Sequence, residues 1–221
     1  MRILMLGNSF TFANNMPEIL ADLVSAEVVQ HTRGGASLAE QLNPNTKMGE
    51  MTRKALNKEK WDYVILQETS KGPIIFKEKF FNNAVLLCKQ IRANGAIPIL
   101  YATWAYKKGG KQLESLGINY DEMYKKIFQA YHEVANNTGA LIADVGKKFY
   151  EISEKQNIYA EDGCHPNRCG SQIAAQIIAD VILADQAKDT ESIEKKSVRE
   201  SDAKLRILYL YQMLLTQSDE E

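Results

Sequence analysis

The sequence predicts an α/β protein built on a five-stranded parallel sheet with helices on both faces. Three observations predict it. Short apolar runs of strand type occur five times along the chain. Stretches with apolar residues at helical spacing separate them, and polar or glycine residues follow each run, as in repeated βα units. Right-handed crossovers would then gather the carboxyl ends of all five strands on one edge of the sheet.

Taken in order, Ile3-Leu4-Met5-Leu6 is the first strand and Gly7-Asn8-Ser9-Phe10-Thr11 a tight turn into a helix that opens near Met16-Pro17. Ile19-Leu20 and Leu23-Val24 recur at helical spacing before the second strand, Glu27 to Thr32, which ends in Arg33-Gly34-Gly35-Ala36-Ser37. Paired glycines there either make a plain left-handed turn or aim backbone N–H groups at an anion. Leu38 to Lys60 is polar and weakly helical, broken by the Asn43-Pro44-Asn45 turn, and predicts one or two short surface helices. Trp61 to Leu66 is the third strand, followed by Gln67-Glu68-Thr69-Ser70. A long helix with Phe80, Ala84, Leu87, Cys88 and Ile91 on one face closes at Asn94-Gly95. Strand four, Ala96 to Tyr101, contains Pro98, which is expected near the strand start, where a missing donor costs little. The loop after it carries Trp104 and Tyr106, as a pocket wall or as packing. A helix with Met123, Ile127, Ala130, Tyr131 and Val134 buried leaves His132 on the solvated side, and strand five is Ala140 to Asp144. A turn-rich loop, Tyr159 to Asn167, precedes the last core helix, marked by Ile173, Ile177 and Val181.

A chain of 221 residues with 45% hydrophobic residues can bury one substantial core. One domain is expected over residues 1–185, and a charged linker with an apolar helix at Leu205 to Leu215 over 186–221. That helix is too short to span a bilayer, for which about 20 residues are needed. It is expected to be buried within the chain or, the alternative taken here, to form a homo-oligomer. A net charge of −1 without a basic run provides no footprint for nucleic acid or an anionic membrane, so neither is an expected partner. The four-residue apolar start is unlike a signal peptide, and three cysteines suit a reducing compartment, so a cytoplasmic location is expected.

The chemistry-bearing residues collect at the predicted strand ends. A nucleophilic serine needs a base, and the base needs an orienting acid. Ser9 follows the first strand, and among the three histidines only His165 lies in a loop beside acids. Asp162 precedes His165 by three residues, a spacing that lets a turn join carboxylate and imidazole, while Asp144 and Glu68 compete for the same role. No metal is expected: Cys164 and Cys169 flank His165, but zinc needs three or four ligands and no second Cys/His cluster exists.

Gly7-Asn8-Ser9-Phe10 resembles the Gly-Asp-Ser-Leu block of the SGNH (GDSL-type) hydrolases, and Asp162-Gly163-Cys164-His165-Pro166 their closing Asp-x-x-His-Pro block. The resemblance implies a three-layer α/β/α flavodoxin-like fold and a triad of Ser9 nucleophile, His165 base and Asp162 orienter. It also implies an oxyanion hole from the Ser9 N–H, the Gly35 N–H (Gly34 as alternative) and an asparagine side chain. Two departures stand out: Asn8 replaces the first block's aspartate, and Gln67-Glu68 stands where a Gly-x-Asn-Asp block belongs. Gln67 is expected to supply the missing amide donor, and Asn8, Gly34, Glu68 and Trp104 to line the substrate pocket. The implied activity is a serine esterase acting through an acyl-enzyme on short-chain, acetyl-type esters of a carbohydrate or other small polar alcohol, without a cofactor. The alternative is a binding protein for a small ligand that keeps the fold and has lost efficient chemistry. A phosphate binder using Gly7 is disfavoured, because no Gly-x-Gly-x-x-Gly or P-loop pattern is present.

Overall fold

The computed structural model describes residues 1–188. The chain divides into two compact units, Met1–Val181 and Ile182–Glu221. Of the second unit only 182–188 are described, and they are helical. The expected helix at Leu205 to Leu215 and the linker beyond residue 188 lie outside the described residues.

In the first unit, β1 (Arg2–Gly7), β2 (Glu27–Thr32), β3 (Tyr63–Leu66), β4 (Ile97–Tyr101) and β5 (Leu141–Ala143) form one sheet in the order β2-β1-β3-β4-β5. All four pairings are parallel, with Gly7 opposite Thr32, Leu6 opposite Leu66, Leu66 opposite Leu100 and Tyr101 opposite Ala143. This is the expected fold, with the strand order of the flavodoxin-like class. Its sequence cause is plain in β1 and β3, where Ile3 to Leu6 and Val64 to Leu66 are fully buried, as central parallel strands covered on both faces must be. Pro98 is the second residue of β4, opposite Val64, close to the strand start as expected.

Between the strands run α1 (Ser9–Phe12), a 3-10 turn (Ala13–Asn15), α2 (Met16–Val24), α3 (Leu38–Leu42), α4 (Lys47–Lys58), α5 (Gly72–Ile75), α6 (Lys77–Asn94), α7 (Lys111–Glu114) and α8 (Tyr120–Thr138), and α9 (Val145–Ile152) follows β5. A tenth helix, α10, occupies 168–181. Gly95 and Gly139 end α6 and α8 in left-handed caps, as their positions predict. The short helices α5 and α7 arise in stretches whose glycines and prolines suggest only turns; each is a single turn, below the length at which periodicity shows. Among the described residues, no helix is long and apolar enough to cross a membrane.

The chain reverses winding direction between β1 and β3, the position where open α/β sheets place their ligands. Ser9 lies just beyond β1, and Gln67, Glu68 and Thr69 directly beyond β3.

Candidate active site

The β1–α1 turn positions Ser9. Asn8 is the N-cap of α1: its side-chain oxygen accepts from the Phe10 N–H at 3.1 Å, fixing the first turn. Gly7 is required by close packing, since a Cβ there would lie 2.3 Å from Thr11 Oγ1 and 2.6 Å from Gln67 Oε1. Ser9 is therefore held on the first helical residue, where its N–H has no intrahelical acceptor. Among the described residues that N–H meets no acceptor, and the Gly35 N–H likewise meets none. Gly35 has φ 69°, the left-handed turn that its glycine anticipates, and is exposed.

The structure brings Ser9, His165 and Asp162 together. Ser9 Oγ is 2.7 Å from His165 Nε2, and His165 Nδ1 contacts Asp162 Oδ2 in a close hydrogen bond. Asp162 Oδ1 also accepts from the N–H groups of Cys164 and His165, each at 2.9 Å. Burial alone would raise the Asp162 pKa, but these backbone bonds and the imidazole outweigh it and hold the carboxyl below the usual carboxylate range. An ionised Asp162 accepts only, so Nδ1 carries the proton and Nε2 presents its lone pair to the Ser9 hydroxyl. Phe10 meets the imidazole edge-on, with ring centroids 5.2 Å apart.

The rival acids are occupied elsewhere. Asp144 hydrogen-bonds His132 Nε2 at 3.0 and 3.1 Å, so His132, expected to be free in solvent, is paired and also packs on Phe128. Glu68 is 4% exposed and accepts from Leu38 N–H at 3.0 Å and Thr69 N–H at 2.8 Å.

Three expected roles, those of Gln67, Asn8 and Trp104, need correction. Gln67 does not offer its amide to an oxyanion: Nε2 donates to the Glu68 carbonyl at 2.6 Å, while Oε1 accepts from Asn8 N–H and Thr11 Oγ1, both at 2.9 Å. The carboxamide cannot be turned over, because Asn8 N–H requires an acceptor. Asn8 does not face solvent; it is 1% exposed and its Nδ2 donates to the Ala36 carbonyl at 3.0 Å. Trp104 is fully buried, stacked on Phe149 at 4.4 Å, with Nε1 donating to the Cys164 carbonyl at 3.0 Å. Gly34 is exposed and its carbonyl is taken by Arg33. Glu68 borders a cavity of about 190 Å³, together with Gly35, Ser37, Thr69, Phe76 and Phe80.

A residue beside the site that the motifs do not single out is Thr69. Its Oγ1 accepts from Gly72 N–H at 3.2 Å, and its hydroxyl hydrogen-bonds the Glu68 carboxylate beside the cavity that Gly35 shares. Its signal in the sequence is only a hydroxyl three residues beyond the third strand. Asp162, Cys164 and His165 also present three ligand atoms within 4.8 Å of one another, a set that could hold a metal ion. The imidazole and carboxylate are already bonded to each other, and burial, with Asp162 beside it, pushes the Cys164 thiol up to about 12, away from the thiolate a metal needs.

No family model and no curated protein matches the chain. Solved structures do. A protein from Slackia heliotrinireducens, described as an SGNH hydrolase, is 44% identical with a TM-score of 0.80, over 82% of this chain and 98% of that one. A DUF4886 family protein from Bacteroides uniformis is 23% identical with a TM-score of 0.61, over 82% of each chain. An acetyl xylan esterase shares the fold at 13% identity and a TM-score of 0.64, over 82% of this chain and all of that one. Topology and site thus define a hydrolase of flavodoxin-like α/β architecture. Within that class, the chain belongs to the SGNH hydrolase family.

Proposed function

We propose that the protein is a serine esterase that hydrolyses short-chain esters, acetyl esters foremost, of a carbohydrate or other small polar alcohol. The observation that carries this reading is the 2.7 Å contact of Ser9 Oγ with His165 Nε2, backed by Asp162 on Nδ1. Nε2 takes the hydroxyl proton as Ser9 Oγ attacks the ester carbonyl, and Asp162 stabilises the imidazolium that forms. The carbonyl oxygen gains negative charge, which the Ser9 and Gly35 N–H groups, both without an acceptor among the described residues, serve to stabilise. When the tetrahedral intermediate collapses, the C–O bond to the alcohol breaks and Nε2 returns the proton to it. Water, deprotonated by the same nitrogen, then releases the acid from Ser9.

The test is hydrolysis of aryl esters of increasing acyl length by the wild type, Ser9→Ala and His165→Ala. Both variants are expected to lose at least about a thousandfold in kcat, and the wild type to prefer two to about four acyl carbons. Full activity in Ser9→Ala would overturn the mechanism. Absence of turnover together with tight binding of a small ligand would favour the binding-protein alternative.

A further inference from the structure

We infer that Asn14 is a positioning residue that keeps Ser9 and His165 in register during turnover, an inference that rests on the esterase reading above. Asn14 and Asn15 are consecutive residues in the left-handed region, with φ 55° and 57°. Two adjacent non-glycine residues in this region are unfavourable, and asparagine is among the few side chains that tolerate it. For Asn14 the conformation has a visible result. It swings the carboxamide back toward the other end of the unit, where Nδ2 donates to the Pro166 carbonyl at 3.1 Å and to Ser171 Oγ at 2.9 Å. Both amide hydrogens are used. Pro166 directly follows His165, and Ser171 is fully buried on α10.

The nucleophile segment and the base loop are therefore joined by two sets of direct hydrogen bonds. One tie is the Ser9–His165 contact, which must break and re-form as the proton moves to Nε2 and back. The other, from Asn14 to Pro166 and Ser171, involves no group that changes charge. It sits one residue past the short α1 and its Ala13 cap, so a displacement of the His165 loop is resisted through a rigid turn rather than through the reacting bond. Asn15 shares the backbone conformation but makes no side-chain capping bond, which makes it the natural control.

The experiment compares wild type, Asn14→Gly, Asn14→Asp and Asn15→Gly on an aryl acetate, with kcat, KM, melting temperature and the rate of Ser9 labelling by a fluorophosphonate. Glycine keeps the left-handed backbone and deletes the tie. Asn14→Gly is expected to lower kcat and labelling rate about tenfold, with KM within about twofold and a melting temperature lower by only about a few degrees, as a small misplacement of reacting groups does. Asn14→Asp can take a bond from the Ser171 hydroxyl but cannot donate to the Pro166 carbonyl, so its kcat should also fall below that of the wild type. Asn15→Gly should match the wild type. An Asn14→Gly enzyme with wild-type kcat would overturn the inference, as would an equal fall in Asn15→Gly. A wild type with no Ser9-dependent reaction would instead overturn the esterase reading, and the role of Asn14 with it.

Discussion

At the scale of single residues, the dipeptide Gln67-Glu68 shows how a side chain can be placed at a site and serve its frame. Gln67 ties the β1 turn to β3 through Asn8 N–H and Thr11, and Glu68 ties β3 to the α3 entry through Leu38 N–H. Three strand-end loops are thereby locked around Ser9. Glu68 does this at a pH-dependent cost. Burial raises its carboxyl pKa above the ordinary 4.5, and the N–H bonds from Leu38 and Thr69 only partly oppose the shift. A carboxyl with a raised folded-state pKa contributes stability that is full below about 4.5 and is lost as pH rises through the folded value. Denaturant titrations from about pH 4 to about pH 8 should therefore show the wild type losing stability relative to Glu68→Gln as pH rises; a pH-independent difference would contradict the burial argument. Asp162 has the opposite sign, since its depressed pKa gives stability that is lost as pH falls below the ordinary 3.8. Sequence alone revealed that Gln67 carries an amide and Glu68 an acid. It could not reveal their direction, because that depends on the register of three strands distant in the chain.

At the scale of elements, the periodic segments were legible and the single turns were not. α6 and α8 were predictable because each repeats an apolar face over several turns and ends in glycine. The loop after β4 was harder: Trp104 and Tyr106 suit a pocket wall as well as a core, and only the approach of α9 decides between them. That approach is set by Gly146, whose N–H donates to the Ala102 carbonyl at 3.0 Å. A Cβ on Gly146 would stand 2.0 Å from the Thr103 carbonyl oxygen, so the helix could not come as close. Gly146→Ala is expected to destabilise the fold by about 2 kcal/mol, the typical cost of overpacking a tight contact, as measured by chemical denaturation. A variant as stable as the wild type would show that α9 can shift outward freely. Phe149, one turn further along the helix, would then lose its hold on Trp104.

At the scale of the whole first unit, the site joins residues from its two ends, with Ser9 near the start and Asp162 and His165 close before α10. The order of the two blocks in the sequence announced that meeting, but not the route by which the core enforces it. Trp104 is that route. Its ring lies 4.9 Å from Phe10, the residue after Ser9, and stacks on Phe149 of α9, while Nε1 holds the Cys164 carbonyl next to His165. One buried side chain therefore touches α1, supports the His165 loop and anchors both to the end of β4. Trp104→Ala removes all three contacts and should cost about 3–5 kcal/mol, the usual range for deleting a large buried aromatic. Trp104→Phe is the sharper probe. It keeps a ring between Phe10 and Phe149 and deletes only the indole N–H, leaving the Cys164 carbonyl without its donor at a cost of about 1–3 kcal/mol. Since that carbonyl belongs to the turn holding Asp162 against His165, kcat should fall in Trp104→Phe at temperatures where the protein is still fully folded, with KM little changed. Thermal melts and initial rates on the same samples separate the two effects. A Trp104→Phe enzyme with lowered melting temperature and wild-type kcat would mean that the core supports the fold without setting the His165 loop.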